Sequence, residues 1–124
     1  MRDPLRVGLA ERPIDPADVF LYHKTTNRAR FEQARVPGLD DVILWNPSGE
    51  ATESTTANLV VEVDGRLVTP PVDCGLLAGT LRAELLAKGE IVEGAVAMDW
   101  LRKAPQVWLI NSVREWRRVT LVTP

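Results

Sequence analysis

The sequence predicts an α+β domain that contains more strand than helix. Short runs of apolar and β-branched residues recur along the chain, an Asp-Gly dipeptide joins two of them, and only three short segments carry helix signals. The chain has 124 residues, of which 45% are hydrophobic and 26% are charged. This length and composition are typical of one soluble globular domain.

Residues 1–18 are predicted to form an extended lead-in rather than a core element. They lie in a polar context and contain three prolines, a residue that is disfavoured in helix interiors and central strands. These prolines are Pro4, Pro13 and Pro16. The domain proper is therefore expected to span residues 19–124.

The first element of that domain is predicted to be a strand at residues 19–22, and the polar sequence HKTTN follows it at once. Any of residues 25–27 can cap a helix that runs to about Arg35, where Pro37-Gly38 would end it. A strand, a polar corner and a helix are therefore expected in succession.

Residues 41–46 predict a second strand, and their consecutive apolar side chains favour burial on both faces. A turn at 46–49 and the polar run 52–56 follow this strand.

A hairpin is the clearest element of the sequence. Asp64-Gly65 joins β-prone segments at 58–63 and 66–69, and this dipeptide tolerates positive φ at both turn positions. Pro70-Pro71 would end the second strand of the hairpin.

Residues 75–124 predict a loop, two helices and three strands. After a loop at 75–79, Thr80 is expected to cap a helix that runs to about Lys88, with Gly89 as its C-terminal stop. The remaining elements are predicted at 91–96 (strand), 98–104 (helix), 107–110 (strand) and 117–122 (strand).

Composition excludes several classes of function. Fifteen basic against seventeen acidic residues give a net charge of −2, which argues against an electrostatically driven binder of nucleic acid or acidic lipid. One His and one Cys offer no clustered metal ligands. No apolar run is long enough for a membrane span. The N-terminal sequence MRDPLRVGLAERP carries charges where a signal peptide would have its apolar region, so a cytoplasmic location is expected. The single Cys74 fits that reducing compartment.

Lys24 is a candidate for chemistry because it lies at the corner between a predicted strand and a predicted helix. A lysine that is desolvated there favours its neutral amine, which Schiff-base chemistry requires. Taken alone, however, Lys24 is interpreted more readily as a surface lysine, and His23 as a packing or hydrogen-bonding residue.

Three further features are ambiguous when each is taken alone. Glu53 follows a buried strand among small hydroxyl residues and is interpreted on its own as a solvated loop acid. Residues 79–82 open a helix after a glycine-containing loop, and such a helix start can bind phosphate or only water. Asn111-Ser112 places small polar groups at the end of an apolar strand.

The order of these features resembles the fold-type IV family of pyridoxal-phosphate enzymes, also called class IV aminotransferases. The resemblance rests on HKTTNR, TESTTAN, a TPP turn, CGLLAGTLR and an apolar strand that ends in NS, over residues from about 19 to 122. Within the family the chain is most similar to aminodeoxychorismate lyase, chiefly through HKTTNR, GLLAGTLRAELL and NSVREW. The implied fold is the strand-rich larger domain of D-amino-acid-aminotransferase-like proteins.

The resemblance implies roles for two of the candidate residues. Lys24 would form the Schiff base with pyridoxal 5'-phosphate and later move a proton at the substrate α-carbon. Glu53 would pair with the pyridine nitrogen of the cofactor and keep it protonated. Asn58 would be a nearby structural or pocket residue, whereas Asn27 and Arg28 match the family pattern without an assigned contact.

The resemblance also implies a phosphate site at the start of the helix. The backbone amides of Thr80 and Leu81, just after Gly79, would bind the phosphate, and Ser112 and Asn111 would close it from the other side. Some relatives carry threonine at the position of Leu81, so backbone donors would have to replace that hydroxyl here.

The implied reaction is elimination of pyruvate from 4-amino-4-deoxychorismate to give 4-aminobenzoate, a step of folate biosynthesis. The alternatives are a branched-chain or D-amino-acid aminotransferase and a catalytically silent domain. The resemblance implies that the chain corresponds only to the larger, C-terminal domain of the family, without the small N-terminal domain that carries a phosphate-binding arginine. We therefore expect a homodimer, or a partner that supplies the small domain.

Overall fold

The structure is a computed structural model that describes residues 4–10, 13, 38–76, 78–113 and 115–122. The predicted strand at 19–22, the predicted helix that ends near Arg35 and the boundary between residues 18 and 19 lie outside these ranges.

The described residues form nine strands and two α-helices, which confirms an α+β class with more strand than helix. The strands are β1 (Leu5–Leu9), β2 (Asp41–Trp45), β3 (Glu50–Ser54), β4 (Asn58–Val63), β5 (Arg66–Thr69), β6 (Val92–Glu93), β7 (Val96–Ala97), β8 (Val107–Asn111) and β9 (Glu115–Leu121). The helices are α1 (Thr80–Ala87) and α2 (Met98–Lys103), and Val72–Cys74 form a short 3-10 helix.

Six of the strands form a closed ring. Their order is β4, β8, β9, β1, β2 and β3, and β3 pairs with β4 to complete the ring. β1 is parallel to both of its neighbours, whereas the other neighbours within the ring are antiparallel. In the described part of the chain, β3 and β4 are in register at one residue pair, Glu53 and Asn58. The ring therefore closes at two residues that the sequence places near the candidate site.

The core lies inside this ring and in two smaller clusters outside it, one of which joins Ala10 to Val42 and Leu44 of β2. The interior cluster contains side chains from β1, β2, β3, β4, β7, α2 and β8, so α2 packs against the interior of the ring. Helix α1 covers the outer face of β4 and β8, where Leu85 packs with Val60, Ile91 and Ile110. Packing of α1 on these strands fixes its start beside the residue pair that closes the ring.

Several local predictions are confirmed. Asp64 and Gly65 have φ values of 51° and 78°, as the turn between β4 and β5 requires. Helix α1 ends before Gly89, which has a φ of 74°. Strands β2, β8 and β9 and helix α2 also lie where the sequence predicts them, to within two residues at each end.

The prediction that residues 1–18 form a lead-in outside the core is wrong for Leu5–Leu9. This segment is strand β1, between β2 and β9, and Val7 is completely buried. Pro4 precedes the strand and takes no place in its hydrogen-bond ladder. Leu5, Val7 and Leu9 belong to or pack on the interior cluster, so the period of two along this short segment is the signal of burial.

Two boundaries near α1 also differ from the predictions. The sequence predicts that Thr80 caps the helix, but Gly79 is the N-cap and Thr80 is the first helical residue. The single strand predicted at 91–96 is two short strands, β6 on β5 and β7 on β3. Gly94 lies between them and its N–H donates to the carbonyl of Thr69, 3.0 Å away, so the chain changes direction there. Within the described ranges, no helix is long and apolar enough to cross a membrane.

Candidate functional site

Glu53 lies on β3 and is only 5% exposed. Its interpretation as a solvated loop acid is therefore wrong, and the polar run at 52–56 begins within strand β3 instead of only preceding a strand. Thr52 and Ser54 are buried with it, because β3 is enclosed by β2, β7 and the closing strand β4. Burial of a carboxylate is costly unless polar groups or a ligand face it, so Glu53 is a candidate functional group.

Asn58 connects Glu53 to the start of helix α1. It is the cross-strand partner of Glu53, and its Oδ1 accepts a hydrogen bond from the backbone N–H of Gly79 at 3.1 Å. Gly79 allows this close approach because it lacks a side chain: a Cβ atom there would lie 2.5 Å from Asn58 Oδ1. The buried acid and the helix start are therefore held near one another through one asparagine.

The start of α1 carries no side-chain cap. Gly79 is the N-cap, with extended backbone angles of −69° and 161°, and its carbonyl accepts the first helical bond from Ala83 at 3.1 Å. The amides of Thr80 and Leu81 lie in the first turn, where no helical carbonyl can reach them. Thr80 is exposed, so these donors and the positive end of the helix dipole suit an anion.

Asn111 and Ser112 lie at the end of β8, close in the sheet to Glu53 and Asn58, the pair that closes the ring. Asn58 is in register with Ile110, the residue before Asn111. The Nδ2 of Asn111 donates to the carbonyl of Thr56 at 3.3 Å, and its Oδ1 accepts from the amide of Val113 at 3.1 Å. Ser112 is exposed in the turn. The Asn111 side chain thus supports two turns, and its contact with a phosphate stays a prediction.

Lys24, Asn27 and Arg28 lie outside the described residues. The expected position of the Lys24 amine opposite Glu53 therefore stays a prediction, as do the roles of its two neighbours.

Two buried charged residues near the site were not predicted from the sequence. Asp41, at the start of β2, is 4% exposed and accepts hydrogen bonds from the connection between β3 and β4. Arg82 is 3% exposed, and its Nη2 donates to the carbonyl of Pro70 at 3.0 Å and to Glu93 at 2.6 Å. Arg82 therefore ties the first turn of α1 to β6. An acid at the start of an apolar strand is the only sequence signal of Asp41.

The one cysteine of the chain lies in a different cluster. Cys74 is buried, its Sγ donates to the carboxylate of Glu50 at 3.6 Å, and its carbonyl accepts from Asn46 at 3.1 Å. Burial and the nearby Glu50 charge raise the pKa of the Cys74 thiol to about 11, because both disfavour the thiolate. Cys74 is therefore a structural residue and a poor nucleophile.

We expect native Cys74 to react slowly with iodoacetamide at pH 8. Two pKa units lower the thiolate fraction about 100-fold relative to an ordinary cysteine. The rate should return to an ordinary value in guanidinium chloride, and Glu50→Gln should raise the native rate. Because folding raises this pKa, the thiol's contribution to stability is present below about pH 9 and is lost as the pH rises through about 11. An equally fast native reaction would contradict the burial.

Comparison with known proteins identifies the family of the chain. Residues 1–122 match the family model for class IV aminotransferases. The chain belongs to the class IV aminotransferase family. Members of this family are enzymes that depend on pyridoxal phosphate, either lyases or aminotransferases.

Individual relatives support both branches of the family. A Schizosaccharomyces pombe protein with the provisional name aminodeoxychorismate lyase is 37% identical over 102 residues, which are 75% of this chain and 44% of that protein. The structure of a provisionally named amino-acid aminotransferase from Mesorhizobium loti is 37% identical, with a TM-score of 0.85, over 95% of this chain and 59% of that one. A provisionally named 4-amino-4-deoxychorismate lyase from Legionella pneumophila is 30% identical, with a TM-score of 0.84, over 98% and 48%. The chain therefore spans about half the length of these relatives.

The described residues fit the cofactor of the class IV aminotransferase family. A buried carboxylate at Glu53 suits a protonated ring nitrogen, and a helix start without a capping side chain suits a phosphate. The absent Cβ of Gly79 leaves room for Asn58 between them. Among the described residues, no three His, Cys, Asp or Glu side chains lie together as a metal site would require.

Proposed function

We propose that this chain carries the cofactor-binding half of a lyase that depends on pyridoxal phosphate. Its reaction would be the elimination of pyruvate from 4-amino-4-deoxychorismate to give 4-aminobenzoate, a step of folate biosynthesis. The observation that carries the proposal is the buried Glu53, which Asn58 connects to the start of α1. The similarity to provisionally named aminodeoxychorismate lyases supports this choice of reaction.

Each residue of the site has a distinct role in the proposal. Lys24 would bind the aldehyde carbon of the cofactor through its neutral amine and then move a proton at the substrate α-carbon. Glu53 would hold a proton at the pyridine nitrogen. The amides of Thr80 and Leu81 would bind the phosphate, with Ser112 closing that site. When bound, pyridoxal phosphate supplies an electron-withdrawing ring that stabilises negative charge at the α-carbon.

A titration with pyridoxal phosphate, followed by visible absorbance, tests the proposal. We expect the 124-residue chain to develop a new absorbance band, and Lys24→Ala to lose it completely because Lys24 would supply the amine that binds the aldehyde. Lys88→Ala is the matched control, since Lys88 is an exposed lysine that pairs with Glu84 on α1. Reduction with borohydride and peptide mapping should place the label on Lys24. No band at saturating cofactor, or a label spread over surface lysines, would contradict the proposal.

Transamination is the second candidate function, and the similarity to the Mesorhizobium loti protein favours it. Both reactions begin with removal of the same α-proton, so product analysis separates them. A lyase releases 4-aminobenzoate and pyruvate, whereas an aminotransferase converts an amino acid and a 2-oxo acid into the exchanged pair. A silent domain would release neither set of products.

The proposal includes an association that completes the site. Because the chain spans about half the length of its relatives, we propose that a second copy or a segment outside residues 1–124 supplies the remaining wall of the pocket. The cytoplasmic location is part of the proposal and rests on the sequence alone.

A further inference from the structure

The corner between β3 and β4, residues 54–57, lies between Glu53 and Asn58, the two residues that close the ring. The backbone N–H of Ser54 donates to the carbonyl of Ala57 at 2.9 Å, and the Ser54 hydroxyl oxygen accepts from the amides of Ala57 and Thr56 at 2.9 and 3.2 Å. Residues 54–57 are one serine, two threonines and one alanine, so this corner has little apolar surface to bury. Its conformation therefore depends on hydrogen bonds.

Asp41 provides the anchor of this corner from the neighbouring strand β2. Its Oδ1 accepts from the backbone N–H of Thr55 at 3.1 Å and from the Thr55 hydroxyl at 2.6 Å, and its Oδ2 accepts from the Thr56 hydroxyl at 2.7 Å. A third donor to Oδ1 is the amide of Val42 at 2.8 Å. Asp41 is 4% exposed, so the three bonds to its Oδ1 are shielded from water, whereas the bond to its Oδ2 comes from the exposed Thr56.

The corner is also held from the opposite side. Asn111, at the end of β8, donates through Nδ2 to the carbonyl of Thr56 at 3.3 Å. Thr56 is thus held between β2 and β8. It lies in the corner between Glu53 and Asn58, the residues at which β3 and β4 pair. Thr55 and Thr56 donate these bonds to the Asp41 side chain, so the bonds are not part of the backbone ladder that pairs β2 with β3 at Ile43 and Ser54. They hold the corner and not the strands.

We propose that Asp41 is a positioning residue that fixes the carboxylate of Glu53 for the cofactor, an inference that rests on the proposed function. A site group must be held within a fraction of an ångström, and neighbouring hydrogen bonds provide that precision. Loss of the Asp41 carboxylate frees the corner, and Glu53 then loses its fixed position opposite Asn58. Asp41 itself touches neither cofactor nor substrate in this proposal.

The test measures the dissociation constant of pyridoxal phosphate in four variants. We expect Asp41→Ala to raise it about tenfold or more, because Glu53 is then no longer held where it can make a charge-assisted hydrogen bond to the ring nitrogen. Asp41→Asn keeps an oxygen for Thr55 and should rescue most of this loss. Thr56→Val removes one bond at an exposed residue and should raise the constant about threefold. Trp45→Phe is the control: it removes a 2.7 Å bond to Ala10 at the other end of β2, and the constant should not change.

A double-mutant comparison separates positioning from general stability. If Asp41 acts through Glu53, the effect of Asp41→Ala should fall below about threefold in a Glu53→Gln background, whereas a merely structural role gives the same effect in both backgrounds. Equal effects, or an unchanged constant in Asp41→Ala and Thr56→Val, overturn this inference alone. If the unmodified chain forms no band at Lys24, the proposed function fails and the inference fails with it. If Asp41→Ala does not fold, Thr56→Val carries the same comparison.

Discussion

Glu53→Gln is expected to retain the cofactor and to lose turnover by about 100-fold or more. The glutamine side chain has nearly the same size and still offers one oxygen, so the phosphate site at the start of α1 is preserved and saturating cofactor still binds. The dissociation constant should rise about tenfold, because the charged partner of the ring nitrogen is lost. A neutral amide cannot hold a proton at the pyridine nitrogen, because it is far less basic than a carboxylate. The measurement is the rate of release of 4-aminobenzoate and pyruvate, beside the absorbance of the bound cofactor.

Glu50→Gln is the matched control for this prediction. Glu50 is a glutamate on the same strand, three residues away. Its carboxylate accepts hydrogen bonds from Asn46 and Cys74 and does not lie beside Asn58 where the ring closes. The Glu50→Gln substitution should therefore leave turnover unchanged. Equal turnover in Glu53→Gln and in the unmodified chain would refute the role of Glu53. Absence of the absorbance band in Glu53→Gln even at saturating cofactor would show that the acid is required for binding itself and would contradict this prediction.

Local signals predict those elements whose conformation is decided within a few residues. The turn at Asp64-Gly65 requires positive φ at two adjacent positions, and its dipeptide provides that conformation in any context. Strand β2 is apolar on consecutive positions because both of its faces are covered. These patterns are visible without knowledge of the fold.

Strands β1 and β3 could not be predicted in this way, because closure of the ring decides their burial. The segment that begins with Glu50 consists mainly of polar residues. Thr52 is buried there because neighbouring strands enclose β3, and its hydroxyl donates to the carbonyl of Leu44 at 3.1 Å, which offsets the cost of burial. Leu5–Leu9 is a short alternating pattern among prolines, and its neighbours β2 and β9 lie far away in sequence. Long-range pairing therefore overrides the local polar signal.

The candidate site shows the same division. Glu53, Gly79 and Thr80 follow from the resemblance, and the described structure places Glu53 close to the helix start through Asn58. The burial of Glu53 and the hydrogen bonds of Asp41 depend on contacts between strands, so no pattern within one segment predicts them. Asp41 lies fourteen residues before Thr55, and the two side chains come within hydrogen-bond distance only when β2 and β3 pair.

Gly79→Ala is expected to weaken the binding of pyridoxal phosphate by about 10- to 100-fold. The added Cβ would lie 2.5 Å from Asn58 Oδ1, a distance that requires the asparagine or the helix start to move. Overpacking of this kind costs about 1–3 kcal/mol. Because Asn58 is buried and paired with Glu53 and Ile110, the helix start should yield and lose the bond from its N–H to Oδ1. A titration followed by absorbance measures the effect.

Gly8→Ala is the control for this substitution, because its Cβ would also meet an atom at 2.5 Å, the terminal methyl carbon Cδ1 of Leu39. Gly8 lies on β1, away from the helix start, so we expect a lower unfolding temperature and an unchanged dissociation constant. Asn58→Ala combined with Gly79→Ala removes the obstructing oxygen. If the steric account is correct, Gly79→Ala should weaken binding much less in the Asn58→Ala background. If its effect is the same in both backgrounds, contact with Asn58 is not the reason for the glycine.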